Sequence, residues 1–316
     1  MGKKCNRREF LQKSVKGALG LGASFIFGFG KERPAFSQEE EAITRATPAA
    51  NVVAVASGPD PGENTLAVLA LLGGMGTFVK QGSVVVVKPN ISWDRRPEQA
   101  ATTNPDVVAI VVQECLKAGA KKVRVFDRAL NDPRRTYRNS GIAKAAQDAG
   151  AEVFFPKDYD YEEVKFPRAR RLKGWSLHRE ALKADVFINL PIAKDHNEAK
   201  LTMCMKNLMG IMGGQRGRIH QGLHQNLADL NSGFTPHLNI LDANRIQVAH
   251  GPNASLLSDV RQPKMVIAGV NAVSVDAYAA AHLPWERDFG GVVEYIQYAG
   301  EMGLGEADLT RIEVRK

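Results

Sequence analysis

Ser83-Val-Val-Val-Val-Lys-Pro-Asn90 is the stretch on which the fold turns. An unbroken β-branched run, without polar alternation, suits a strand covered on both faces, as in a parallel sheet. Downstream, residues 104–118 carry a helical pattern, with Pro105 in the first turn and Thr103 or Asn104 as cap. Lys122–Phe126 is a second strand, which completes a βαβ unit. Further on, a helix over 140–149 closes at Gly150, and strands follow at 152–155 and 185–189. Upstream lie a strand at 52–56 and a helix at 64–80. The second half predicts helices near 201–212, 224–230, 275–282 and 292–302, with strands at 238–241, 265–270 and 310–314. The expected architecture is α/β, a largely parallel sheet with helices on both faces, built as one body or as two lobes around a cleft.

The charge pattern separates the front of the chain from its body. Residues 1–37 hold eight Lys/Arg and two acids, which accounts for +6 of the formal +8 and leaves +2 for residues 38–316. So small an excess over the body gives no electrostatic footprint for nucleic acid. Asn6-Arg7-Arg8-Glu9-Phe10-Leu11-Gln12-Lys13 matches the twin-arginine export consensus, and a Gly-diluted apolar run over 17–30 follows. That run is shorter than the ~20 apolar residues of a stable bilayer anchor. Ala35-Phe36-Ser37 offers a small-x-small cleavage site. The expected organisation is a signal peptide over 1–37, a polar linker over 38–50 and one α/β domain over 51–316. Its partner in transit is the twin-arginine machinery and its destination the periplasm; an uncleaved signal acting as an anchor is the alternative. Cys5 precedes the apolar run, unlike a lipoprotein cysteine. Cys115 and Cys204 lie in apolar helical patterns, which favours buried free thiols over a disulfide. Three cysteines cannot supply a self-contained four-cysteine iron–sulfur cluster.

In doubly wound sheets ligands sit beyond the carboxyl ends of the strands, so the residues after each strand carry the chemistry. Here Val87 runs into Lys88-Pro89-Asn90, Phe126 into Asp127, Leu190 into Pro191-Ile-Ala-Lys194-Asp195-His196, and Leu241 into Asp242. Lysine, aspartate and histidine converging on one rim make an anion or metal site; solvent-facing strand ends are the plainer explanation of any single one. Residues 194–229 are densest, with Lys194, His196, Lys206, Asn207, His220, His224 and Asp229. His220 and His224, four apart, would share a helix face and could ligate one metal (nickel, zinc or iron), although Gly222 between them weakens that helix. Gly213–Gly217, flanked by Arg216 and Arg218, could wrap an anion with backbone N–H groups. Met203, Cys204, Met205, Met209 and Met212 read as core filling, with copper ligation as the minor alternative. Asp276 either caps its helix or points into the cleft. No dinucleotide fingerprint, P-loop or nucleophile elbow is present in the sequence.

Several motifs in fixed order resemble domain-of-unknown-function family 362. They are Val87-Lys88-Pro89-Asn90, Thr103-Asn104-Pro105, Ser140-Gly141-Ile142, Lys194-x-His196, Met205-Lys206-Asn207-Leu208-x-Gly210, His220, Leu241-Asp242, Gly251-Pro252 and Val275-Asp276-Ala277. The resemblance runs from about Asn51 to the C-terminus. It implies a fold distantly similar to nickel-pincer lactate racemase. Many members of the family carry a ferredoxin-like module, which this sequence does not contain, so any redox role would need a separate partner.

The resulting expectation is an exported enzyme acting on a small anionic metabolite, with a metal or organometallic cofactor. Lys88, Asn90, Lys194, Asn207, Asp242 and Asp276 are the candidates for binding, and His196, His220 and Lys206 for catalysis. His196, His220 and His224 are the candidate metal ligands, with Asp242 or Asp276 orienting a histidine. A non-catalytic anion-binding or accessory protein is the alternative. Both readings require Lys88, Lys194, His196, Lys206 and His220 to meet around one pocket at the sheet's C-terminal rim.

Overall fold

Val85 and Val87 are fully buried among one set of helices and Val86, between them, among another. The β-branched run is therefore a strand covered on both faces. The computed structural model describes residues 49–253, 256–287, 289 and 293–316; the twin-arginine segment, the apolar run, the cleavage site and most of the linker lie outside them. Strands in chain order are β1 (Val52–Ser57), β2 (Val84–Pro89), β3 (Lys122–Val125), β4 (Glu152–Val153), β5 (Tyr161–Lys165), β6 (Gly174–His178), β7 (Val186–Leu190), β8 (Ile192–His196), β9 (Lys200–Thr202), β10 (Leu238–Gln247), β11 (Val260–Arg261), β12 (Met265–Gly269) and β13 (Glu313–Arg315). Helices are α1 (Pro61–Leu71), α2 (Pro105–Lys117), α3 (Pro133–Asn139), α4 (Ile142–Asp148), α5 (Arg179–Lys183), α6 (Cys204–Asn207), α7 (Leu223–Gly233), α8 (Ala272–His282) and α9 (Glu294–Glu301).

The main sheet runs β13-β1-β12-β10-β7-β2-β3-β4, with β8, β9 and β11 paired off that path. Pairings from β10 through β7, β2 and β3 to β4 are parallel. β12 is antiparallel to both of its neighbours. Helices α1, α2 and α4 pack with Val85, Val87, Val123 and Val125 on one face; α6 to α9 pack with Val86, Phe126 and Phe187 on the other. Each fully buried valine contributes roughly 1.5–3 kcal/mol, and a charge at Val86 would place an unpaired ion in the second core. Among the described residues no helix is long and apolar enough to cross a membrane.

Several expected elements change on folding. The helix over 64–80 is shorter, because α1 starts at Pro61, capped by Asp60, and ends at Leu71 before Gly73 and Gly74 at positive φ. The helix near 201–212 is instead β9, the single turn of α6 and a 3-10 turn over Leu208–Ile211. Its sulfur row is therefore not on one helix: Met203, Met205 and Met212 fill the core, whereas Met209 reaches the cavity described below. The strand over 238–241 extends to Gln247, and β5–β6 form a separate antiparallel hairpin. Cys115 and Cys204 are buried free thiols.

Candidate functional site

The C-terminal end of β2, together with β8 and the residues after it, lines a cavity of about 280 Å³. Lys88 is the penultimate residue of β2 and Asp127 lies just past β3. On β8, Lys194 and His196 share a face, since alternate strand residues point the same way, while Asp195 points to the other. That arrangement turns Asp195 toward the Gly251 amide and Arg287 and the other two into the cavity. The single turn of α6 supplies Lys206 and Asn207, and a 3-10 turn over Arg216–His220 supplies Arg216 and His220. The structure thus brings Lys88, Asn90, Lys194, His196, Lys206, Asn207 and His220 onto one cavity wall.

A polar framework holds the floor. Lys88 Nζ donates to Asp127 Oδ1 (2.8 Å), Asn207 Oδ1 (2.8 Å) and Pro89 O (3.0 Å). Asp127 also accepts from the Ile91 amide at 2.7 Å, and Tyr137 hydroxyl bonds its main chain. Asn207 Nδ2 donates to Asn189 Oδ1 and Lys88 O, which locks α6 to β2 and β7. Thr103 Oγ1 accepts from the Asn90 amide and donates to Leu190 O, tying the loop before α2 to the ends of β2 and β7. Gly210 passes so close that an added Cβ would overlap both Asp127 Oδ1 and Lys88.

The other cations are less compensated. Lys194, 1% exposed, donates to Ala101 O (2.6 Å) and, weakly, to Asn90 Oδ1 (3.4 Å). Among the described residues it has no carboxylate partner. Burial, then Lys206, hold its ammonium well below the usual lysine range. The Lys206 ammonium, partly open to the cavity, makes no hydrogen bond or ion pair with a described residue. Burial first, then Arg216, bring it down to about 8. Arg216 donates to the carbonyl oxygens of Arg128 and Met209.

The two cavity histidines have different tautomers available. His196 Nδ1 accepts from the amides of Glu198 and Ala199 at 3.2 Å each, which leaves its ring proton on Nε2. Burial, then Lys206 and Lys194, hold it down to about 2, so the neutral ring is a hydrogen-bond donor and not a base. His220 Nδ1 lies 2.6 Å from Glu198 Oε2. A proton shared there leaves Nε2 with a lone pair, the arrangement of a carboxylate-oriented base.

His224, Asp242 and Asp276 lie elsewhere. Gly222, at φ 91°, separates the His220 turn from α7, so His220 and His224 do not share a helix face. His224 Nε2 bonds Glu198 O at 3.1 Å and its Nδ1 lies 3.6 Å from Glu294. The three histidines are not gathered into a ligand set. Among the described residues no cluster of three His, Cys, Asp or Glu side chains could hold a metal ion. Among the described residues His196, His220 and His224 therefore do not form a three-ligand metal site. Asp242 accepts from the amides of Asn104 and Asn244 and from Asn244 Nδ2, supporting the start of α2. Asp276 accepts from the amides of Cys204 (2.7 Å) and Met205 (2.9 Å), and so anchors α6; burial pushes it up to about 7. The cap of α8 is Asn271. Among the described residues neither aspartate bonds a histidine; Glu198 does. In the glycine loop the Gly213 amide donates to Ser176 O and the Arg216 amide to Gly214 O, so these two amides are already engaged within the fold.

Sequence reasoning missed Glu198 because it sits in the β8–β9 turn, where a carboxylate reads as ordinary loop polarity. The period-two spacing Lys194-x-His196-x-Glu198 was the available signal.

Residues 85–281 match the family model described as domain of unknown function (DUF362). The chain belongs to that family. The DUF362 match takes in every cavity residue named above. A curated relative, thylakoid-associated protein sll1697 of Synechocystis sp., is 32% identical over 215 residues, covering 65% of this chain and 64% of the relative. The alignment thus spans less than two thirds of that protein. Among solved structures, the lactate racemase apoprotein from Thermoanaerobacterium thermosaccharolyticum is similar with a TM-score of 0.42 and 12% identity, covering 70% of this chain and 54% of that one.

Proposed function

We propose that this DUF362 chain is an enzyme that binds a small carboxylate or phosphate compound in the cavity and moves a proton on it. The observation that carries the reading is the unbalanced charge of the wall. Among the described residues Lys194 and Lys206 face the cavity without a hydrogen-bonded carboxylate partner, beside Arg216, while the carboxylate that lines the cavity, Glu198, is directed onto His220. An anion among these cations would relieve their mutual repulsion and strengthen in the low-dielectric setting. In this scheme Lys194, Lys206 and Arg216 hold the anionic group. His196 Nε2–H donates to a neighbouring oxygen and His220 Nε2 takes the proton. The twin-arginine sequence supports export of the folded protein to the periplasm.

The test uses full-length protein expressed with its own N-terminus and recovered by cell fractionation. Calorimetry with succinate and inorganic phosphate is expected to show binding that weakens about tenfold or more in Lys206→Met and Lys194→Met, in keeping with loss of a charge-assisted contact. Deuterium uptake from D2O into a panel of small carboxylates and phosphates, followed by NMR, is expected to vanish in His220→Ala while binding persists. Anion binding without any uptake would replace the enzyme by an accessory binding protein. Stoichiometric nickel, zinc or iron lost in His196→Ala and His220→Ala would replace proton transfer by metal-dependent chemistry. Recovery only from the cytoplasm would overturn export.

A further inference from the structure

Among the described residues three lysines line the cavity, and one of these is free to act as a nucleophile. Lys88 Nζ is committed to Asp127, Asn207 and Pro89 O. Lys194 is almost wholly enclosed and donates to Ala101 O and Asn90. Lys206 is partly open to the cavity, and its ammonium bonds no described residue. Its main chain is nevertheless well fixed, because Asp276 anchors the Cys204 and Met205 amides and Asn207 is locked to β2 and β7. An unpartnered amine on a rigid turn, beside a carboxylate-oriented imidazole and two further cations, is the arrangement that activates lysine toward carbonyl carbon.

We propose that Lys206 forms an imine with a small aldehyde or ketone that also carries a carboxylate or phosphate group. This rests on the anion-binding reading above and adds the electrophile. The Lys206 Nζ lone pair forms the C–N bond as the carbonyl π pair moves to oxygen. The two hydrogens of the neutral amine pass in turn, by way of His220 Nε2, to that oxygen, which leaves as water when the C=N bond closes. No oxidant or reductant is consumed. The His196 Nε2–H stabilises the oxygen while it is negative, and Lys194 or Arg216 holds the anionic group. With its ammonium at about 8, Lys206 is uncharged in about one molecule in ten at pH 7, a supply of free amine that an exposed lysine lacks.

The experiment is reductive trapping on the full-length chain. Pyruvate and glycolaldehyde phosphate serve as carboxylate and phosphate probes, borohydride as trap, peptide mass mapping as readout, and succinate calorimetry runs in parallel. The expected result is a single reduced adduct on the Lys206 peptide, about tenfold or more above the exposed Lys80 in the same sample, and lost in Lys206→Arg. The mapping on unaltered protein stands even if that variant does not fold. An adduct with one probe and not the other assigns the anionic group. Equal labelling of Lys206 and Lys80, or no adduct while succinate still binds, overturns the imine and leaves the anion site standing. Failure of succinate, phosphate and both carbonyl probes alike overturns the two together.

Discussion

Lys88 and Lys206 border the same cavity under opposite conditions. Lys88 is buried with a carboxylate 2.8 Å away and two further acceptors. Among the described residues Lys206 has none of these and is instead pressed by burial and by Arg216. A buried cation with its full set of partners organises a fold, whereas one left wanting is held in readiness for a ligand. The difference separates scaffold from chemistry within a single pocket wall, and it can be attacked from both sides.

The largest effect is expected from Asp127→Ala. It leaves the Lys88 ammonium enclosed without its counter-ion and should cost about 3–5 kcal/mol in urea unfolding; a loss under 1 kcal/mol would show that Lys88 is not the structural member. Next comes the acid side of the stability profile. His196, held down to about 2 from 6.5, stays neutral in the fold while the unfolded chain takes up a proton. Its contribution therefore falls as pH drops below 6.5, by about 1.4 kcal/mol per pH unit for one group. His196→Gln should have a flatter profile between pH 6.5 and 5 than the unaltered chain, and parallel profiles would count against the enclosed neutral ring. Smallest and opposite in sign is Lys206→Met. Removing an uncompensated, partly screened cation should raise stability by about 1 kcal/mol at pH 7. Because the fold depresses this ammonium, the gain should shrink as pH rises from about 8 toward 10.5, where the folded protein has lost the charge and the unfolded chain still carries it. A destabilised variant would place Lys206 with Lys88 in the scaffold.

Where a strand is covered on both faces, its sequence announces it. The run ahead of Lys88 and the cap-proline start of α2 were legible because burial and helix entry leave local marks. β8 left only the faint period-two spacing of Lys194, His196 and Glu198, because its polar residues are held by Ala101 O, the Gly251 amide and Arg287, contacts made far away in sequence. The apolar stretch 201–212 read as one helix because its hydrophobicity is continuous, yet Asp276 and Asn189 divide it by accepting and donating to its backbone at Cys204 and Met205. Similarly, the carboxylates flagged after strands, Asp242 and Asp276, hold backbone amides. Glu198 orients the histidine, a partnership that exists only once the β8–β9 turn meets the His220 turn.

Gly210 carries a consequence for how this pocket can vary. The main chain there runs against the ion pair with no clearance for even a methyl group, and its carbonyl accepts from the Arg128 amide at 3.0 Å. Any sequence that retains this floor must leave that one carbon out, whereas Gly217, beside Arg216 on the same cavity, has open space where a side chain would stand, so variation in cargo can enter there.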